Sequence, residues 1–170
     1  MKGKFFDILL LLVLLALIYS CRGGYSFTGA DISADIKTIS ISYFPNRATL
    51  VQPNLSNVFT ETLKDRFNSQ TNLEMVRSDG DLMFEGEIVN YTVSAQAFTG
   101  NETAALNRLT ITVKVKFTNT KEPQKSFEAN FTRYADFVST VSLSAVEEEL
   151  IRQICDELVT DIFNRAVANW

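Results

Sequence analysis

Apolar and polar residues alternate with a period of two through much of this chain and recur every four residues in two stretches. Residues 37–44 place Ile39, Ile41 and Tyr43 on one side and predict a first strand, which Pro45-Asn46 ends. Leu55, Phe59, Leu63 and Phe67 then repeat at four-residue spacing, with Val58 and Thr62 beside them. With Pro53 placed at the first turn, this predicts an amphipathic helix over 53–69 whose wet side carries Glu61, Lys64, Asp65 and Arg66. Residues 73–77 predict a short second strand. Ser78-Asp79-Gly80-Asp81 is a turn by composition, and a hairpin to the following segment is expected. That segment, Leu82 to about Phe98, is a long strand. Leu82, Phe84, Gly86 and Ile88 share one face, whereas Val89, Tyr91 and Val93 fall on the other parity. A bulge or twist within 86–90 is therefore expected.

After a polar loop over 99–105, Leu109, Ile111, Val113, Val115 and Phe117 alternate with Arg108, Thr110, Thr112, Lys114, Lys116 and Thr118. This is the cleanest strand pattern in the chain, with one buried and one wet face. A turn over 119–125 contains Pro123. The next strand carries Phe127, Ala129, Phe131, Arg133, Ala135 and Phe137 on its inner row. Arg133 interrupts that row, so it either snorkels at a sheet edge or pairs with an acid. Ser144-Ala145-Val146-Glu147 fits a capping box. It opens a helix with Val146, Leu150, Ile154, Leu158 and Ile162 in one stripe and Ile151, Cys155, Val159 and Phe163 alongside, running to about Ala168. The order is β-α-β-β-β-β-α. Two helices with one apolar stripe each, and a sheet with one apolar face, predict an α/β two-layer sandwich. Both helices pack on one face of a mixed sheet of about four to five strands, and the other face stays polar.

The amino-terminal stretch follows neither period. Lys2 and Lys4 precede an apolar run from Ile8 to Ile18. A bilayer-spanning helix needs about 20 apolar residues, so this run fits the core of an export signal instead. It ends in Ile18-Tyr19-Ser20-Cys21, a lipobox-like cleavage site. The expected organisation is a lipoprotein signal peptide over 1–20, a tether over 21–36 lipidated at Cys21, and one folded domain over 37–170. Several acyl chains on one cysteine anchor stably, since each buried CH₂ contributes about 0.8 kcal/mol. Arg22-Gly23-Gly24 follow the cysteine, and no acidic residue precedes Asp31. By the general sorting rules for such proteins, the anchor belongs in the outer membrane, on its periplasmic face.

Composition narrows the chemistry. Cleavage removes Lys2, Lys4 and Asp7 and leaves 14 basic against 19 acidic side chains, a net charge of −5. Such a chain has no overall attraction for nucleic acid. With Cys21 acylated, Cys155 has no partner for an intrachain disulfide and reads as a buried free thiol. The chain has no histidine, which removes the commonest general base and the commonest metal ligand. No HExxH, CxxC, Walker or dinucleotide motif is present. No catalytic residue, metal or cofactor is expected. Glu85 and Glu87, two apart on one strand face, read better as a solvated face than as a carboxylate pair for catalysis.

The candidate binding residues are Arg108, Lys114 and Lys116. Spaced cations on a rigid strand suit the phosphates of an anionic lipid head group. The bland reading has them pairing across strands with Glu85, Glu87 or Glu128. The aromatics Tyr91, Phe98, Phe127, Tyr134 and Trp170 could add a partner surface, although core packing accounts for most of the phenylalanines.

A resemblance joins these pieces. Gly24-Tyr25-Ser26-Phe27-Thr28-Gly29 follows Cys21, and the first strand leads into Ile41-Ser42-Tyr43-Phe44-Pro45-Asn46-Arg47-Ala48. Gly80-Asp81-Leu82, Phe84-Glu85-Gly86, the segment from Asn107 to Val113, and Arg133-Tyr134-Ala135-Asp136 come next. The chain closes with the segment from Asp161 to Trp170. In this order the chain resembles the LptE family of lipopolysaccharide-assembly lipoproteins over its whole mature length. The resemblance implies a non-enzymatic plug within the LptD-type outer-membrane β-barrel, aiding barrel assembly and the passage of lipopolysaccharide to the outer leaflet. It fixes no lipopolysaccharide contacts in this sequence. The alternative is a free periplasmic-face lipid-binding or chaperone-like lipoprotein, which needs an apolar cavity between sheet and helices. Cys21→Ala is expected to abolish acylation. Labelled palmitate incorporated by the variant at the wild-type level would refute the lipobox reading.

Overall fold

The computed structural model describes residues 32–50, 52–96 and 105–167. Residues 1–31 (with Cys21), Phe98, most of the 99–105 loop and Trp170 lie outside the described residues. Strands β1 (Thr38–Ile41), β2 (Glu74–Val76), β3 (Leu82–Gln96), β4 (Leu106–Asn119) and β5 (Phe127–Val138), with helices α1 (Leu55–Gln70) and α2 (Leu143–Val167), follow the order β-α-β-β-β-β-α. The strands form one five-stranded sheet in the spatial order β2-β1-β3-β4-β5. β1 is parallel to both of its neighbours, and β3, β4 and β5 run antiparallel.

The alternation seen in the sequence is the alternation of burial. Leu109, Ile111, Val113, Val115 and Phe117 of β4 are all buried, as are Leu82, Phe84 and Ile88 of β3. Over them lie Leu55, Phe59, Leu63 and Phe67 of α1, and Ile154, Cys155, Leu158, Val159 and Ile162 of α2. Phenylalanine rings carry the contact between layers. The Phe67 centroid lies 4.9 Å from Phe84 and 5.1 Å from Phe163, and Phe84 lies 4.8 Å from Phe117. Each fully buried side chain of this size contributes roughly 1.5–3 kcal/mol. Both helices therefore sit on one sheet face.

The bulge falls where the alternation changed parity. The β3–β4 register shifts between Ile88 and Asn90, and the extra residue, Val89, returns Tyr91 to the inner face, where it is buried. The Tyr91 hydroxyl donates to Glu147 at the start of α2. Burial, reinforced by that carboxylate, pushes the phenol well above its ordinary range. This replaces the expected capping box: α2 begins at Leu143 rather than after Ser144, and the Glu147 carboxylate is turned to Tyr91. Arg133 meets both of its alternatives at once. It lies on edge strand β5 and forms a bidentate pair with Asp161 of α2 at 2.6 and 2.7 Å.

Three local expectations fail. Helix α1 starts at Leu55, two residues after Pro53. The Gln52 side-chain oxygen accepts from the Asn54 and Leu55 amides at 2.6 and 2.9 Å, and the Leu55 amide also reaches the Gln52 carbonyl across the turn holding Pro53 at 3.3 Å, so Pro53 lies in the turn before the helix and not in its first turn. Tyr43 is exposed, because β1 stops at Ile41 and Phe44 turns into the core instead. Most consequentially, β2 and β3 form no hairpin. Residues 77–81 cross from one side of β1 to the other, leaving β1 between them.

Two residues make that crossing possible. A Cβ on Gly80 would lie 2.6 Å from the Ser40 backbone nitrogen, so only glycine fits against β1 there. Asp81 then fastens the start of β1. Its carboxylate accepts from the Lys37 and Thr38 amides at 2.8 and 3.0 Å and from the Thr38 hydroxyl at 3.1 Å, and Lys121 lies 3.2 Å away. The Lys37 amide first, then the Thr38 amide and Lys121, hold the Asp81 carboxyl far below the ordinary carboxylate range. A lowered folded-state value stabilises the fold fully above the unfolded-state value of about 4 and progressively less below it. Asp81→Asn is therefore expected to lower the urea midpoint most at neutral pH, with the gap to wild type narrowing as pH falls below about 4. A gap independent of pH would contradict the assignment.

Candidate functional site

The core fixes which side chains stand on the opposite face of the sheet. With Leu109 through Phe117 turned inward, Arg108, Thr110, Thr112, Lys114 and Lys116 of β4 point outward, between Glu85 and Glu87 of β3 and Glu128 to Asp136 of β5. Among the described residues no helix covers this face, since α1 and α2 both pack on the other. Its charged residues gather at two ends.

At one end, Lys116 stands opposite Glu85 and Glu128, and Lys114 opposite Glu87 and Asn130. The Lys116 ammonium lies 3.1 Å from Glu85, and that of Lys114 reaches diagonally to Glu128 at 2.6 Å. These side chains line a shallow depression over Gly86. Its two ammonium groups face three carboxylates, and Glu87 makes no ion pair among the described residues. The hydrogen bond to Lys114 lowers the Glu128 carboxyl, and the same bond raises Lys114.

Arg108 is at the other end, about 20 Å along β4 from Lys114 at 3.3–3.4 Å per residue. It grips Asp136 with two bonds of 2.7 and 2.8 Å, and its guanidinium carbon lies 3.6 Å from the Tyr134 ring centroid. The pair raises Arg108 and lowers Asp136, the shared hydrogen bonds being the main cause for each. Hydroxyls and amides lie between the two ends, and Thr112 and Thr132 meet at 2.9 Å.

The structure thus brings Lys114 and Lys116 together and sets Arg108 apart. Each of the three has a carboxylate partner, as the bland reading of the sequence expected for Lys114 and Lys116. Asp136 and Tyr134 were not singled out as partners of Arg108. Their signal was available in the outward parity shared by 108, 134 and 136 across one hairpin. Exposed ion pairs of this kind contribute little to stability, so such cations can exchange one anion for another. Among the described residues no group of acids or thiols is arranged to hold a metal ion. Cys155 is buried in α2, and burial pushes its thiol up to about 12, which leaves it in the unreactive protonated form.

Comparisons with known proteins add a family. The LptE family, described as lipopolysaccharide-assembly, matches residues 36–166, well over half of the chain. A minor lipoprotein of Acinetobacter baumannii shares the fold with a TM-score of 0.52 at 14% identity, over 77% of this chain and 92% of that one. A hypothetical protein of Chlamydia trachomatis does so with a TM-score of 0.53 at 12% identity, over 79% and 99%. Among proteins of curated function, none matches the sequence.

Beneath the Lys114–Glu128 cluster, Gly86 lets β3 lie against β4 and the Phe44 ring. A Cβ there would fall 2.1 Å from the Lys114 carbonyl oxygen and 2.6 Å from the Phe44 ring. Gly86→Ala is expected to cost about 1–3 kcal/mol by overpacking, read from urea denaturation. Unchanged stability would show that the two strands can separate without penalty.

Proposed function

Since this chain belongs to the LptE family, we propose that it is an outer-membrane lipoprotein, tethered through Cys21 at the periplasmic face. In this reading the domain over 37–170 sits as a plug in an LptD-type β-barrel, helps that barrel assemble, and takes part in delivering lipopolysaccharide to the outer leaflet. Its role is non-enzymatic. The observation that carries the reading is the family match together with a polar sheet face that no described element covers. A plug meets a polar surface, because large barrel interiors are polar. The likeness in fold to a protein named as a lipoprotein agrees with lipid anchoring. The packing of Phe67, Phe84, Phe117 and Phe163 fills the space between the layers, which favours an interacting surface over a lipid container.

In the same reading, Arg108, Lys114 and Lys116 meet lipopolysaccharide phosphates, each giving up a surface carboxylate for a doubly charged anion. The separation of Arg108 from the lysines gives two contact points instead of one. Affinity purification through a carboxy-terminal tag, in mild detergent, is expected to recover a large β-barrel together with lipopolysaccharide. An Arg108/Lys114/Lys116 triple alanine variant should carry less lipopolysaccharide on the same barrel. Recovery of the lipoprotein alone would contradict the proposal.

A further inference from the structure

We propose that the free edge of β5 is a docking edge that accepts an extended segment of the barrel polypeptide as a sixth strand of the sheet. The inference rests on the function proposed above and adds the manner of attachment. Among the described residues, β5 is hydrogen-bonded on one side only. The direction of its remaining groups follows from one bond: the Ser139 amide donates to the Ala105 carbonyl at 2.9 Å, which extends the β4–β5 register by one pair. Hydrogen-bonded and non-bonded pairs alternate in an antiparallel ladder. The odd-numbered residues of β5 are therefore tied to β4. At the far end of β4, the Thr120 amide donates to Asp81 at 2.9 Å. That turns the even residues of β4 toward β3 and its odd residues toward β5, in agreement.

The amides and carbonyls of Glu128, Asn130, Thr132, Tyr134 and Asp136 consequently face away from the sheet. All five residues are exposed, and among the described residues none of these amides has a partner. Open edges are usually blunted by shortness, proline, lysine, a bulge or an inward-pointing charge, and on β5 the one such charge, Arg133, is drawn off to Asp161 of α2. The opposite edge, β2, is three residues long. β5 is twelve residues long, has no proline, glycine or lysine, and pairs without a register shift. The long edge is thus left in the form that strand addition requires.

The side chains argue for a heterologous strand. Two antiparallel registers let a second copy of β5 pair along its whole length. One sets Glu128 against Asp136, and the other sets Arg133 against Arg133. On the helix side the edge presents half-buried Phe127 and Phe131 beneath Arg165, whose guanidinium carbon lies 4.4 and 5.7 Å from the two ring centroids. Arg165 has no carboxylate partner among the described residues. The matching segment has apolar residues beside the phenylalanines, an acid near Arg165, and polar residues toward Asn130 and Thr132. A closed barrel wall has no free strand edge, so the segment comes from a loop or terminal arm.

Residue-resolved amide hydrogen exchange tests this, on the purified full chain and on its complex with the recovered barrel. In the isolated protein, the amides of Asn130, Thr132 and Tyr134 are expected to exchange at least about tenfold faster than those of Ala129, Phe131 and Arg133, and to slow about tenfold in the complex. Unchanged rates in a complex that contains the barrel overturn the docking edge and leave the proposed function standing. Protection that grows with concentration of the isolated protein identifies a second copy and also overturns it. Failure to recover any barrel overturns the proposed function and this inference together. A second arm compares Asn130→Pro with Asn130→Ala. Proline removes an outward amide that β4 does not use, so barrel recovery should fall about tenfold relative to the alanine variant while circular dichroism stays native. Equal recovery from two folded variants overturns the proposal.

Discussion

Asp81, through its carboxylate and its own backbone, joins the first, third and fourth strands at one point. It takes the first two amides around the start of β1, while its own amide donates to the Thr38 hydroxyl at 2.9 Å. Its carbonyl accepts from the Thr120 amide and hydroxyl at the end of β4. Without this junction, a four-residue strand would have little reason to lie between two others in parallel. With it, β1 becomes interior, Ile39 and Ile41 enter the core, and the sheet gains the width over which two helices can lie. The wet face and the open β5 edge are both consequences of that order.

Much of this was legible in the residues. Strands β3, β4 and β5 announced themselves by alternation, because each has one buried face, and the bulge at Val89 by a change of parity. Both helices showed their stripes, since each buries only one side. The failures at the 78–81 turn and at the start of α2 were decided over long sequence distances. The Ser78–Asp81 turn has hairpin composition, but the residues that determine its path are Thr38 and Ser40, some 40 positions away. The Ser144–Glu147 motif has capping-box spacing, yet Tyr91 claims the glutamate from another element. Local propensity is a weak prior wherever a tertiary partner competes for the same group.

The candidate site divides in the same way. Arg108, Lys114 and Lys116 could be placed on the wet face from parity alone. The pairing of the lysines with Glu128 and Glu85 was among the alternatives the sequence offered, whereas Asp136 as the partner of Arg108 emerged only with the strand register. That Arg108 and the two lysines form separate centres was implicit in their spacing. That β5 is an edge was not legible at all, because edge status depends on the spatial order of the strands. The physical picture that results is a solid domain, filled between its layers, whose interaction capacity lies in its polar face and one unfinished strand.

The most direct test is the accessibility of that surface in the native envelope. Cys155 is buried and Cys21 is assigned to acylation, so a Thr132→Cys variant presents one reactive thiol, on the wet face and the open edge together. The account predicts fast labelling by a hydrophilic maleimide in the purified protein and strong protection in outer membranes with the barrel in place. Equally fast labelling in both settings would contradict it.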